Sequence, residues 1–293
     1  MSEDVALAAR PTAKGNWTLG SLVDADAHID PPYDMWKDYL PKHLVELAPR
    51  IEEGEEVDYV VFEGSRRPVR MINNQAGRAG KDFKMVGKLS EQRAAWQPET
   101  RLADMDTDGI DSAILWAAFS ELGLVTTIHL GARVPRFGEK QFFLADMPMS
   151  KLAMAEPIAI AIFNGIFQRF PDLRFASVES GVGWFAWFTE YLDRTWEKQR
   201  FWTESTLTSP PSFFMDRNVF GSFIQDRPGI LCRDLPGAKN IMWSSDYPHS
   251  ETTFPRSREV ILRDFKGIPD ADTRNIICHT AKKLYGLESR VAA

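Results

Sequence analysis

The sequence predicts an α/β fold with a mostly parallel sheet and helices outside it, as in a barrel or a doubly wound sheet. Three observations carry this. From Arg101 onward, short β-prone apolar runs alternate with helical patterns to the C-terminus. At 293 residues the chain can bury one large core, a size common among single α/β barrels. Most of the β-prone runs end in an ionisable residue, and parallel α/β folds build their sites at the carboxyl ends of strands.

The elements follow in order. Residues 1–16, MSEDVALAARPTAKGN, read as a polar arm with an acidic start and no apolar leader run. LVDADAH is a strand running into a site. The insert at 31–98 holds a turn and short helix in PPYDMWKDYLPKHL and a β-hairpin in DYVVFEGSRRPVRMI around Glu63-Gly64-Ser65, and the stretch from Gly77 to Glu99 is loop. RLADMDTDG is a short helix stopped by Gly109, and IDSAIL a strand. WAAFSEL reads as a helix capped by Gly123, LVTTIHL as a strand, and MAEPIAIAIFNGIFQRF as one helix halted before Pro171. LRFASVES is a strand and GWFAWFTEYLDRTWEKQRFW a long helix. NVFGSF and NIMWSSD are strands flanking the short helix GILCRDL, and PRSREVILRDF and DADTRNIICHTAKKLYGL close the chain as helices. Residues 1–293 thus form one domain.

Several function classes are disfavoured. The net charge of −6, with acids spread along the chain, offers no basic stripe to a nucleic acid. No run reaches the roughly 18 uninterrupted apolar residues of a membrane span. Cys232 and Cys278 lie outside any CxxC, which with the absent leader fits a reducing, cytoplasmic setting. No GxGxxG or GxxxxGK[ST] follows a strand, and neither Ser180 nor Ser245 sits in a GxSxG elbow. The expected partner is a small molecule.

The candidate site lies at the strand ends. Asp26 and His28, two apart on one strand, share a face. His129 ends the TTIH run, Glu179 the ASVES run, and Asp246 the WSSD run with His249 close behind. Two imidazoles and two or three carboxylates converging in space suit a divalent cation, zinc first, with manganese or iron also compatible. Such an ion lowers the pKa of bound water to about 7 or polarises a substrate carbonyl or carboxylate, while an unligated group moves the proton. Each residue also has a plainer role. Asp26 could cap a turn before Pro31-Pro32, His129 could be a core histidine, Glu179 could open a helix, and Asp246 could make an Asx turn. Coincidence at all four strand ends weighs against that. Trp184, Trp187, Phe188 and Tyr191 recur at helical spacing and read as core packing. His43 and His279 read as structural or surface residues. Arg133 and Arg136 either meet a substrate carboxylate or are solvated.

The motifs DADAH, RLADMDTDGID, ELGLVTTIHLG, RFPDLRFASVESGVGW and NIMWSSDYPHSETTFPRS resemble successive signatures of the amidohydrolase-related family. This is the branch of the amidohydrolase superfamily that includes aminocarboxymuconate-semialdehyde decarboxylase. The resemblance implies a metal-dependent (β/α)8 barrel that hydrolyses or decarboxylates small molecules without redox chemistry. It implies metal ligation by Asp26 and His28 on the first strand, His129 at the fifth-strand position and Asp246 at the eighth. The chain departs from the pattern in two residues: D-x-H stands where many members carry H-x-H or E-x-H, and Glu179 where the decarboxylases usually place a histidine.

A further departure is the length between IDSAIL and LVTTIHL. Nothing there resembles the third and fourth βα units, so at roughly 30 residues per unit some 60 to 90 residues are missing near Leu115 and Trp116. The expectation is therefore an incomplete barrel of about six strands, with exposed edges that invite a homodimer. The leading expected function is a metal-dependent hydrolase that activates water, with Glu179, Asp246 and His249 as catalytic groups. Non-oxidative decarboxylation of a small aromatic or unsaturated acid is the alternative, and a non-catalytic remnant of the fold is a third.

Overall fold

In the computed structural model of the chain, the described residues are 17–28, 40–62, 64–71, 74–78, 82–93, 97–116, 126–129 and 143–287. Among the described residues nine strands run in chain order: β1 (Val23–His28), β2 (Arg50–Glu52), β3 (Tyr59–Phe62), β4 (Ser65–Pro68), β5 (Ser112–Trp116), β6 (Thr126–His129), β7 (Phe175–Val178), β8 (Val219–Phe223) and β9 (Ile241–Trp243). β6, β7, β8 and β9 form a parallel sheet in that order, and β1 pairs in parallel with β5. The two sheets meet just past β9, where Ala27 bridges to Tyr247 in parallel. There the His28 N–H donates to the Tyr247 carbonyl at 2.7 Å and the Asp246 N–H to the Asp26 carbonyl at 2.9 Å. The strand order across this surface is β5, β1, β9, β8, β7, β6. Among the described residues, β5 and β6 form no ladder with each other.

The central strands are buried on both faces. β7 and β9 are wholly buried, and in β1 every residue before His28 is buried. Helices on the outside and side chains within demand this of a parallel sheet. One continuous core, including Leu22, Val23, Phe185, Phe214, Phe223, Ile241 and Ile277, joins the strands to the helices packed behind them.

The hairpin appears where the sequence places it, as β3 and β4 paired antiparallel, and β2 adds a third strand that carried no sequence signal. Helix Pro98–Asp108 begins on proline and ends at Gly109, whose φ of 74° is the left-handed cap. A side chain at Gly109 would also strike the Arg258 guanidinium, 2.3 Å from an ideal Cβ. Asp226 caps helix Arg227–Leu231 by accepting from the Gly229 N–H. The same carboxylate accepts from the Val182 and Gly183 N–H groups, both at 2.6 Å, and so ties down the turn that follows β7.

Several elements differ from expectation. The single helix expected over 154–170 is two, Ala155–Phe163 and Ile166–Arg169, because Gly165 takes φ 66° between them. Helices Phe143–Leu152 and Pro211–Asn218 were not expected. The C-terminal helix is interrupted by a π segment at Asn275–His279. In the aromatic series, Trp184 and Phe188 pack on the core, but Trp187 and Tyr191 are 65% and 52% exposed and stack on each other instead. His43 and His279 are exposed. The arm at 1–16, the helix expected to follow β5, and Arg133 and Arg136 lie outside the described residues. Among the described residues, no helix is long and apolar enough to cross a membrane.

Candidate metal centre

The sheet brings the strand-end residues together. Asp26 and His28 end β1, His129 ends β6, Glu179 follows β7, and Asp246 and His249 follow β9. His28 Nε2 is the hub: it lies 3.1 Å from Asp26 Oδ1, 3.2 Å from Asp246 Oδ1 and 3.3 Å from His129 Nε2. His129 Nε2 is in turn 3.5 Å from Glu179 Oε2 and 3.8 Å from Asp26 Oδ1. Two overlapping sets result, Asp26, His28, His129 and Glu179, and His28, Glu179, Asp246 and His249. Within each, the candidate ligand atoms lie no more than 4.8 Å apart.

The spacings from His28 to Asp26, Asp246 and His129 fit a shared cation. Ligands about 2.1 Å from one ion, at tetrahedral or right angles, stand roughly 3.0–3.4 Å from each other. The burial fits as well. Both oxygens of Asp26 and Oδ2 of Asp246 are inaccessible to solvent and accept no well-directed hydrogen bond, although His28 Nε2 is within ion-pair range of Asp26. A buried carboxylate left this way loses several kcal/mol of solvation unless a cation compensates. In the metal-free chain, protons supply part of that compensation. Burial pulls the His28 imidazole down, but the facing carboxylates of Asp246 and Asp26 outweigh this and push it up to about 10. Burial raises the Asp26 carboxyl, and the facing imidazoles of His129 and His28 bring it down to about 2. Metal would displace these imidazole protons.

Two carboxylates are carried by unusual backbone. Glu179 and Asp246 have φ of 60° and 57°, in the left-handed region that non-glycine residues seldom enter. Such conformations persist where the surroundings hold them and concentrate at functional sites. Glu179 is held by its N–H donating to Ser222 Oγ at 3.1 Å, and Asp246 by its N–H donating to β1. Burial first, then the nearby Asp246 charge, pushes the Glu179 carboxyl up to about 7 despite Lys151.

The supporting residues were mostly not anticipated. Asp24, fully buried, accepts from the Asp26 N–H at 3.1 Å, from the Ser245 N–H at 2.8 Å and from the Ser245 hydroxyl. It was legible as one more step of the two-residue period in DADAH. Arg101 Nη2 donates to the His28 carbonyl and its guanidinium lies over the Tyr247 ring at 4.6 Å, while the Tyr247 hydroxyl donates to Asp104. Lys151 bridges Glu179 Oε1 at 3.1 Å and Glu251 Oε2 at 2.7 Å. No motif announces it.

A parallel α/β sheet whose strand ends gather imidazoles and carboxylates around buried oxygens is the arrangement of a TIM-barrel-like fold with a candidate metal site. The amidohydrolase family model matches residues 79–287, and the chain belongs to that family. Amidohydrolases are enzymes, and the clustered imidazoles and carboxylates give this chain a candidate metal site. Among solved structures, an amidohydrolase from Mycobacterium avium subsp. paratuberculosis K-10 superposes with a TM-score of 0.62 and 15% identity, covering 90% of this chain and 98% of that one. Apo IDCase from Metarhizium anisopliae gives a TM-score of 0.55 and 11% identity, covering 92% and 98%. The 5-carboxyvanillate decarboxylase LigW from Sphingomonas paucimobilis gives 0.44 and 21%, covering 56% of this chain and 49% of that one, so the chain spans about half of its length. No curated protein sequence matches.

Proposed function

We propose that this chain is a non-oxidative carboxy-lyase acting on a small aromatic or unsaturated acid, with a divalent metal held by Asp26, His28, His129 and Asp246. Zinc suits this mixed nitrogen and oxygen set, with manganese or iron as alternatives. When bound, the ion supplies a Lewis acid for the substrate carboxylate and a neighbouring oxygen.

The observation that favours carbon dioxide loss over water attack is the state of Glu179. It is the group expected to activate water, yet Oε1 is paired with Lys151 and Oε2 faces His129. His249 is the better placed proton carrier. Its Nδ1 is 2.8 Å from Asp246 Oδ1 and its ring stacks on His28 with centroids 4.1 Å apart, so the ring is fixed and Nε2 remains to hand over a proton. In the reaction the bond between the substrate carbon and its carboxyl breaks, carbon dioxide leaves, and the electron pair left on that carbon takes the proton from His249 Nε2. Hydrolysis is the second reading. It is favoured by the Glu179 carboxyl being pushed up to about 7, a range in which a carboxylate both takes and returns a proton.

We also propose that the barrel is shortened. Residues 117–125 alone separate β5 from β6, too short a stretch for two further βα units, and those strands share no ladder among the described residues. The single domain 1–293, the reducing cytoplasmic setting and a homodimer formed at the free strand edges belong to the same proposal.

Product analysis decides between the two reactions. Protein reconstituted with zinc or manganese is expected to release carbon dioxide from at least one member of a panel of hydroxybenzoic acids and to leave aryl amides and lactones intact. Hydrolysis of an amide or lactone with no carbon dioxide from any acid would overturn the carboxy-lyase assignment.

A further inference from the structure

Beside the metal centre lies a cavity of about 250 Å³ lined by Lys151, Glu179, Ser180, Gly181, Ile224, Gln225 and Glu251. Its walls come from the residues that follow β7 and β8, from the loop after β9 and from the last turn of helix Phe143–Leu152, so it opens on the same sheet end as the candidate ligands.

The charged groups in this cavity are unequal. Glu179 is 6% exposed and fixed by its backbone contact to Ser222, whereas the Glu251 side chain is 36% exposed on the β9 loop. Lys151 stands between them at 21% exposure. Gln225 Oε1 accepts from Arg263 Nη2 at 2.8 Å, which leaves its amide hydrogens as the donors it can offer to a ligand. An ammonium and an amide donor line the cavity, and the outer acceptor is a carboxylate that can swing into water.

We propose that Lys151 is the specificity-determining cation of this site: it receives a carboxylate of the substrate in the place that Glu251 fills in the free enzyme. The substrate class is then an organic acid with a second anionic group beyond the reacting one. Glu251 keeps the half-buried ammonium paired until the substrate arrives, which avoids leaving a desolvated charge alone. Glu179 stays on Lys151 throughout and orients the ammonium toward the cavity. This assignment rests on the carboxy-lyase reading for the identity of the first carboxylate, but its test is a binding measurement and does not depend on turnover.

The probes are isophthalate, which carries two carboxylates, and benzoate, which carries one, titrated calorimetrically into the manganese-loaded full chain. Isophthalate is expected to bind about ten-fold more tightly, the worth of one charge-assisted pair. Lys151→Met should remove that difference, Lys151→Arg should restore part of it, and Glu251→Gln should widen it by freeing the ammonium. Manganese affinity, set by the other residues, should stay within a few-fold of the parent in Glu251→Gln. Equal affinities for the two probes, no binding of either, or a Glu251→Gln variant that binds isophthalate no better than the parent would overturn the proposal. Absence of carbon dioxide release alongside a Lys151-dependent preference for isophthalate would sink the carboxy-lyase reading alone.

Discussion

Replacing Asp26 with asparagine is expected to abolish the stabilisation that a divalent metal gives this protein. Asp26 is fully buried, both its oxygens lack well-directed hydrogen bonds, and His28 and His129 converge on it at 3.1 and 3.8 Å. Asparagine preserves the shape and removes the charge. A ligand that binds only the native state stabilises it by about 2.7 kcal/mol at one hundred times its dissociation constant. In a domain of this size that is a rise of roughly 5 °C or more in the melting temperature. Residues that merely orient ligands are already worth about 10- to 100-fold in metal affinity, so a loss of about 100-fold or more is the least expected from a ligand itself. At the same metal concentration such a variant keeps only about 0.4 kcal/mol. Thermal melts with and without zinc or manganese measure this directly. A metal-dependent rise in Asp26→Asn equal to that of the parent would remove Asp26 from the ligand set.

The second large effect is expected at Asp24, which lies outside the proposed ligand set and whose carboxylate holds the backbone of Asp26. Asp24→Ala should destabilise the protein by about 2–5 kcal/mol, because it strands two buried backbone N–H groups and a hydroxyl that now donate to the Asp24 carboxylate. Those donors belong to Asp26 and Ser245, so the carboxylate fastens the end of β1 to the segment after β9. Loosening that seam moves Asp26 and Asp246 relative to each other, and metal affinity should fall about 10- to 100-fold, as for other residues that hold ligands in place. Asp24→Asn keeps an acceptor at the same position and should recover part of both losses. Urea denaturation and metal titration of the two variants test the seam. Parent-like stability and metal binding in Asp24→Ala would show that the seam holds without it.

The chemistry of the centre was legible because it is written at strand ends. Alternation along LVDADAH places Asp26 and His28 on one face, and the rule that parallel sheets put their sites at carboxyl edges foretells that His129, Glu179 and Asp246 gather with them. What the sequence hides is what depends on backbone detail or on contacts far apart in the chain. The left-handed φ of Glu179 and Asp246 has no signature in residue type, since neither is a glycine. Gly165 looks like an ordinary glycine in an apolar helical run until it takes a positive φ and breaks it. Helix Phe143–Leu152 carries Pro148 in its interior, which masks it as a helix, and with it goes Lys151, whose pairing with Glu179 and Glu251 spans 28 and 100 residues. The core placement expected for Trp187 and Tyr191 failed because helical spacing alone does not say which stripe of a helix faces inward.

The measurement that bears most directly on the centre is anomalous diffraction at the zinc edge from crystals grown with one equivalent of zinc, with metal content assayed on the same preparation. One ion per chain is expected, about 2.0–2.2 Å from both His28 Nε2 and His129 Nε2 and bonded to carboxylate oxygens of Asp26 and Asp246. No stoichiometric metal, or an ion bound elsewhere with those imidazoles free, would contradict it.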